Sequence, residues 1–454
     1  MEGPGLSPTA DRSERAFSEG AICDNLIVGD IGDNNLIGTE FNDNIKGKRG
    51  SDRIEGGDGD DRLDGNNLSD GPDGADTLIG GLGDDLFIAS AGADIYDGGD
   101  DQHDVVSYAH VGSAVTVNLA NQSLNEGLAQ NQTFIGIDDL IGTAFDDFLT
   151  GDEFNNFFIG GAGNDRLIGG YGYDKLVGGD GNDYLDGNNL SDDFDYADEL
   201  IGGKGNDFMV ASWGADLYDG GLGRDTVSYA HVSFGVTISM TVPVIVGGFT
   251  QGHTFKSIEV LIGTDFNDNL TGDDRANVLK GGGDIDGLFG MGGKDRLFGG
   301  GGNDSLNGGE GADYLNGGNG NDTLIDDEAV AARDVMIGGG GNDWIVGGLG
   351  NNVMKGGGGK DTLIIETGSA VMFGGFGADV FRFDDQFGTA RVKDYNKAQG
   401  DLMQFTVLEA TNFAEVLSHA SDVNGNVVID MVDGTVIIEN MVMAQLDADM
   451  FVFV

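Results

Sequence analysis

Aspartate recurs every nine residues along much of this chain, each time closing a glycine-rich hexapeptide. The clearest run is Gly299 to Ile325, which reads GGGGNDSLN, GGEGADYLN, GGNGNDTLI. Each unit is Gly-Gly-x-Gly-x-Asp-x-U-x, with Asp304, Asp313 and Asp322 sixth and the large apolar residues Leu306, Leu315 and Leu324 eighth. A carboxylate beside glycine carbonyls is an all-oxygen ligand set, and oxygen ligands of this kind are what calcium prefers. The chemistry this spacing predicts is therefore repeated binding of a hard cation.

Such ligands need a particular scaffold. Glycine reaches positive φ without steric cost, so the first six residues can turn tightly and bring carbonyls together. The last three residues are too few for a helix and suffice for a short strand that points U inward and its neighbours outward. One repeat cannot bury its apolar residue alone, so neighbours must stack. The same register places Asp52, Asp61, Asp85, Asp165, Asp174, Asp183, Asp207, Asp225, Asp295, Asp343, Asp361 and Asp379 with the three aspartates above as expected metal ligands. Glycines at the fourth position, Gly163, Gly172, Gly181, Gly293, Gly302, Gly311, Gly320 and Gly341, are expected to supply the turn and its carbonyls. Asp43, Asp76, Asp94, Asp147, Asp268, Asp286 and Asp334 hold the sixth position elsewhere, and Asn34, Asn156, Asn277 and Asn352 replace it.

Around the repeats, residues 1–27 read as an aperiodic lead-in, and the roll occupies 28–106, 142–228 and 263–382. Between these lie two inserts, 107–141 and 229–262, where the glycine/aspartate register is absent. Val115, Val117 and Leu119 alternate as a strand in the first insert, as do Val236, Ile238 and Met240 in the second. The Asn/Gln-rich remainder of the first reads as loop, and both inserts are expected to embellish the roll without binding calcium. The two share a larger repeat: Asp64–Asp70 recurs as Asp186–Asp192, Ser107-Tyr-Ala-His110 as Ser228-Tyr-Ala-His231, and Leu140–Thr143 as Leu261–Thr264. From 383 to 454 glycine becomes sparse; Phe413, Val416, Leu417 and Ala420 have helical spacing, and two alternating stretches flank Val432-Asp433-Gly434 as a hairpin.

Composition narrows the partners. With 23 Lys plus Arg against 78 Asp plus Glu, the net charge is −55. That excess attracts cations and repels nucleic acid and anionic membrane surfaces. No apolar run approaches the roughly 18 residues of a membrane-spanning helix, and the polar first twenty residues carry no signal-peptide core. Cys23 is the single cysteine, which excludes an intrachain disulfide.

The tandem nonapeptides resemble those of the RTX (repeat-in-toxin) hemolysin-type calcium-binding proteins. That resemblance implies an all-β fold, a right-handed parallel β-roll stapled by multiple Ca2+, here carrying two inserted segments and a small C-terminal β-rich cap. Two repeats would make one coil, with calcium between successive turns. The tail ending Ala448-Asp-Met-Phe-Val-Phe-Val454 resembles the C-terminal signal of RTX proteins exported by type I secretion. It implies a type I secretion apparatus as partner and a secreted, extracellular or cell-surface location. RTX repeats are often joined to metalloproteases, lipases, epimerases or cyclase toxins, but the chain has no His-Glu-x-x-His, no Gly-x-Ser-x-Gly and no phosphate loop. Tyr108/His110 and Tyr229/His231 could transfer protons on a sugar; the plainer reading is that they pack the joins between roll and insert. The expectation is a secreted, non-catalytic calcium-binding repeat protein. Its rivals are the C-terminal part of an RTX enzyme acting on extracellular polysaccharide, and a surface adhesin.

Overall fold

The computed structural model describes residues 25–66, 74–99, 103–188, 196–241, 249–326, 330–384, 386–406 and 410–454. The lead-in up to residue 24, most of the break at 66–73, most of its counterpart at 186–192 and part of the interruption at 326–332 lie outside them. The chain divides into two compact units, Met1–Thr226 with Gln251–Ile258, and Val227–Thr250 with Glu259–Val454. Both are parallel β-rolls.

In the first unit, an eleven-stranded parallel sheet runs from Asn25–Val28 to Thr254–Lys256. Strand Phe157–Ala162 pairs with Lys175–Asp180, and Arg166–Gly170 pairs with Tyr184–Asn188. Partners therefore stand 18 residues apart, the length of two nonapeptides. Consecutive repeats fall in different sheets, and alternate repeats stack. In the second unit, Val278–Gly283, Arg296–Gly301, Tyr314–Asn319, Val335–Gly340, Asn351–Gly359 and Gly368–Gly377 pair in that order. The other sheet stacks Ser305–Asn307, Thr323–Ile325, Trp344–Gly347, Thr362–Ile365 and Val380–Phe383.

Strand periodicity explains the core. The eighth-position residues Leu297, Leu315, Met336, Met354 and Met372 form one fully buried file, and Leu306, Leu324, Ile345, Leu363 and Phe381 another. Burying each such side chain contributes about 1.5–3 kcal/mol. The core is thin, one residue per turn, so the roll depends on whatever holds its turns.

The inserts are more than embellishment. Val115, Val117 and Leu119 are buried about strand Thr116–Asn118, which pairs with Phe148–Thr150. The stretch expected as loop also contributes strands: Thr133–Ile135 pairs with Ile95–Gly99, and Asp139–Ile141 pairs with both Val105–Ser107 and Phe157–Ala162. An open strand edge recruits any extended segment that can satisfy its amides, so the insert is drawn into register despite its composition. In the second unit Thr237–Ser239 likewise pairs with Asn269–Thr271. Toward the C-terminus, helix Phe413–His419 starts at Asn412, whose side chain accepts from the Glu415 amide. The expected hairpin pairs Asn426–Asp430 with Thr435–Ile438 in antiparallel fashion. Thr435–Ile438 also lies parallel to Phe387–Val392, and Phe451–Phe453 to Leu402–Phe405, so the cap continues both sheets of its unit.

Candidate metal-binding turns

Each sixth-position aspartate sits where its turn meets the next coil. Along the ladders below, its Oδ1 accepts the backbone N–H of the corresponding residue one coil earlier; Asp147 and Asp268, which follow the inserts, accept from Val115 and Val236 instead. Along one file of the second unit the Asp286 amide donates to Asp304 (2.9 Å), Asp304 to Asp322 (2.9 Å), Asp322 to Asp343 (2.9 Å), Asp343 to Asp361 (2.9 Å) and Asp361 to Asp379 (3.0 Å). In the other file Asp295 donates to Asp313 at 2.8 Å. The first unit repeats the ladder from Asp147 to Asp165, Asp183, Asp207 and Asp225, all at 2.7–2.8 Å. Its other file carries an amide side chain at Asn156, whose backbone N–H donates to Asp174 at 2.7 Å. Asp43 donates to Asp61, Asp61 to Asp85, and Asn34 to Asp52.

The second oxygen is a different matter. Oδ2 of Asp52, Asp61, Asp85, Asp165, Asp183, Asp207, Asp295, Asp304, Asp322, Asp343, Asp361 and Asp379 is buried with no hydrogen-bond donor among the described residues. A buried carboxylate oxygen without a partner is costly. Its surroundings are shaped by the first glycine of the turn. A Cβ on Gly299 would lie 2.3 Å from Asp304 Oδ2 and 2.6 Å from the Gly317 carbonyl oxygen; on Gly356, 2.3 Å from Asp361 Oδ2 and 2.6 Å from Gly374 O. Glycine thus leaves open a cradle bounded by a carboxylate and a carbonyl. A Cβ on Gly169 would be 2.2 Å from Asp174 Oδ2, on Gly220 2.5 Å from Asp225 Oδ2, and on Gly308 2.5 Å from Asp313 Oδ2, which puts these three aspartates in the same setting.

The fourth-position glycines all have positive φ: Gly163, Gly172, Gly181, Gly293, Gly302, Gly311, Gly320 and Gly341 lie between 115° and 154°. They also stack backbone on backbone, since a Cβ on Gly181 would meet the Gly163 carbonyl oxygen at 1.6 Å and on Gly320 the Gly302 oxygen at 1.5 Å.

Removal from water raises the carboxyl pKa values. Burial, partly offset by the ladder hydrogen bond and reinforced by neighbouring aspartates, lifts Asp61 and Asp361 to about 7, Asp85 to about 9, Asp295 to about 8 and Asp304 to about 6. Burial raises Asp343 and Asp379 as well. The metal-free turn therefore resists ionisation, and a cation in the cradle would reverse that preference. No three His, Cys, Asp or Glu side chains converge among the described residues. One carboxylate per turn must therefore act with main-chain carbonyls, a hard oxygen set that fits calcium.

Sequence register missed Asp104. Its Oδ1 accepts the Asp85 amide at 2.9 Å, its Oδ2 has no donor among the described residues, and burial lifts it to about 7. The signal was obscured because Gly98 and Asp104 are separated by one residue more than usual. The register also fails to separate Asp94, Asp147 and Asp268 from the others, although protein groups already occupy both of their oxygens. Tyr108 and Tyr229 are fully buried; the Tyr108 hydroxyl lies 2.6 Å from Gln132 Oε1, whereas His110 and His231 are exposed. The tyrosines pack at the joins, and the exposed His231 meets the same Phe249 ring as Tyr229, with ring centroids 6.3 and 6.0 Å apart.

Stacked parallel turns, each with a buried carboxylate oxygen over a glycine cradle, define a calcium-binding β-roll. The pattern of the RTX calcium-binding nonapeptide repeat matches residues 37–71, 70–102, 133–167, 141–175, 159–194, 192–227, 262–295, 289–324 and 329–363, more than half of the chain. The chain belongs to this RTX family, and its repeats are calcium-binding. Curated protein sequences contain no match. Among solved structures, the extracellular lipase LipA from Serratia marcescens is similar at 16% identity over 45% of this chain and 45% of the lipase, with a TM-score of 0.15. The chain thus spans less than half of that lipase, and a likeness so low carries no argument. No helix among the described residues is long and apolar enough to cross a membrane.

Proposed function

We propose that the aspartates and glycines named above hold Ca2+ between successive turns, and that the protein is a secreted, non-catalytic repeat protein that folds on binding calcium outside the cell. The observation that carries this reading is the file of buried Oδ2 atoms without donors, from Asp304 through Asp322, Asp343 and Asp361 to Asp379. Each is a desolvated oxygen facing a cradle that no side chain fills. The chain's own part is clear in physical terms. The Oδ1 ladder fixes each carboxylate's orientation, glycine keeps the cradle open, and the eighth-position residue anchors the turn. A bound ion would supply positive charge shared between carboxylates that otherwise repel one another. Binding free energy then becomes folding free energy.

Export through a type I apparatus is supported by the resemblance of the tail. It agrees with calcium being scarce inside cells and plentiful outside, where extracellular modules bind at roughly 0.1–1 mM. Equilibrium dialysis of the full chain against calcium with excess magnesium tests the site reading. Many calcium ions per chain are expected; an absence of calcium retained over magnesium would overturn it.

A further inference from the structure

We infer that the second residue of each turn decides whether that turn takes calcium; this rests on the calcium reading above and adds which turns are open and which are closed. The turns fall into two backbone classes. Where φ of the second residue is positive, as at Gly57 (120°), Gly81 (126°), Gly161 (116°), Gly300 (115°) and Gly357 (119°), the aspartates that follow, Asp61, Asp85, Asp165, Asp304 and Asp361, keep an Oδ2 without a donor. Where φ is not positive, the turn closes on itself. The Thr264 amide and hydroxyl donate to Asp268 at 2.6 and 3.1 Å, and the Thr143 amide and hydroxyl to Asp147 at 2.5 and 3.1 Å. The Asp152 and Asp273 amides donate to Asn156 and Asn277 at 3.0 and 2.7 Å. A variant uses hydroxyls: Ser90 and Tyr96 donate to Asp94 Oδ2 at 3.0 and 3.2 Å, and Ser212 and Tyr218 to Asp216 Oδ2 at 3.1 and 2.8 Å.

An N–H or O–H donor and a cation compete for the same lone pairs, so in the turns of Asp94, Asp147 and Asp268, where both carboxylate oxygens already accept protein donors, little is left to offer an ion. In the turn of Asp43 the Thr39 donors take Oδ2 and leave Oδ1 without a donor among the described residues. The fourth residue does not separate the classes, because Gly92 (158°) and Gly214 (133°) have positive φ in closed turns. Two open turns are the most telling. Lys48 and Met291 occupy the second position without being glycine, yet their φ values are 82° and 80°, and Asp52 and Asp295 keep an Oδ2 without a donor. A conformation that L side chains avoid is adopted there, at the place where the open form requires it.

Closed turns occur at the start of the roll, at Asn34 and Asp43, and again around the inserts. Those of Asp94 and Asp216 precede the inserts, with the turns of Asp104 and Asp225 between; those of Asp147 with Asn156, and Asp268 with Asn277, follow them. On the C-terminal side of each insert two successive turns are thereby held by protein hydrogen bonds.

The test counts calcium ions on the full chain by native mass spectrometry at saturating calcium. Gly300→Thr would place a Cβ 2.2 Å from the Gly282 carbonyl oxygen at the present φ, so the turn must switch to the threonine class; at Gly301 an added Cβ meets nothing within 4 Å. G300T should lose at least one ion with Asp304 intact, whereas G301T should keep the wild-type number. Equal counts in the two folded variants would overturn the switch while leaving the calcium reading standing; no bound calcium in the wild type would remove the reading itself. If G300T does not fold, the reverse exchange decides. T264G/F266G restores Gly-Gly-x-Gly-x-Asp at Gly263–Asp268 and should gain an ion that F266G alone does not. No gain, or an equal gain in F266G, would overturn the switch.

Discussion

Replacing Asp304 by asparagine should push the roll in opposite directions with and without calcium. The substituted amide would keep Oδ1 as acceptor for the Asp286 N–H, now at 2.9 Å, so the ladder survives. What changes is Oδ2, which is buried and has no donor among the described residues. Burial raises the Asp304 carboxyl from 3.8 to about 6. A pKa raised on folding stabilises the fold below the unfolded value, and that contribution is lost as pH rises through the folded one. At pH 7.5 the metal-free roll has lost it, a cost of at most about 3 kcal/mol and less where solvent screens the charge. The amide never ionises, so in chelator D304N should fold at a lower concentration of trimethylamine oxide than the wild type. In calcium the sign reverses. The amide cannot replace an anionic ligand, and losing a charge-assisted interaction costs about 1.5–3 kcal/mol, which should lower the urea midpoint. Paired titrations by far-UV circular dichroism would measure both arms. Destabilisation by similar amounts in chelator and in calcium would refute the reasoning, since it would mean that the Asp304 charge is not what calcium offsets.

The pH dependence follows from the same carboxyls. In chelator, β-structure should grow as pH falls from about 9 towards 4, through the values of Asp85 (about 9), Asp295 (about 8), Asp61 (about 7) and Asp304 (about 6); loss of β-structure over that interval would contradict the assignment. With calcium present, protons compete for the same oxygens, so a calcium electrode should record ion release as pH drops below about 6. Gly359→Ala should cost several kcal/mol in urea, roughly what overpacking and forbidden φ together impose, because φ is 137° and a Cβ would lie 1.9 Å from Gly341 O. Gly358→Ala, with nothing within 4 Å, should stay within about 1 kcal/mol of wild type. Removing residues from Phe383 onward should retain the protein inside a host that carries a matching type I transporter; undiminished export would exclude the tail as the signal.

Much of the fold was legible because the repeat writes its geometry into the sequence. Nine residues make a turn and a strand, so Leu306, Leu315 and Leu324 announce both the period and the core, and all three are fully buried. The strand around Val117 and the hairpin about Gly434 were equally plain from alternation. The insert's other strands were not, because Thr133–Ile135 and Asp139–Ile141 become strands by pairing with a neighbouring coil. For the site, the aspartate register pointed to most of the turns with a donor-free carboxylate oxygen and passed over Asp104, where one additional residue breaks the count. It could not separate Asp268 from Asp304. That difference lies in a backbone angle and a donated hydrogen bond at Thr264, and only the folded turn reveals what those donors satisfy.

Far-UV circular dichroism of the full chain during a calcium titration from excess chelator, with magnesium in parallel, tests the central claim most directly. A cooperative gain of β-structure on adding calcium, with little or none in magnesium, is predicted. Full β-structure in chelator at neutral pH, or equal folding in magnesium, would contradict a roll whose turns are held by calcium.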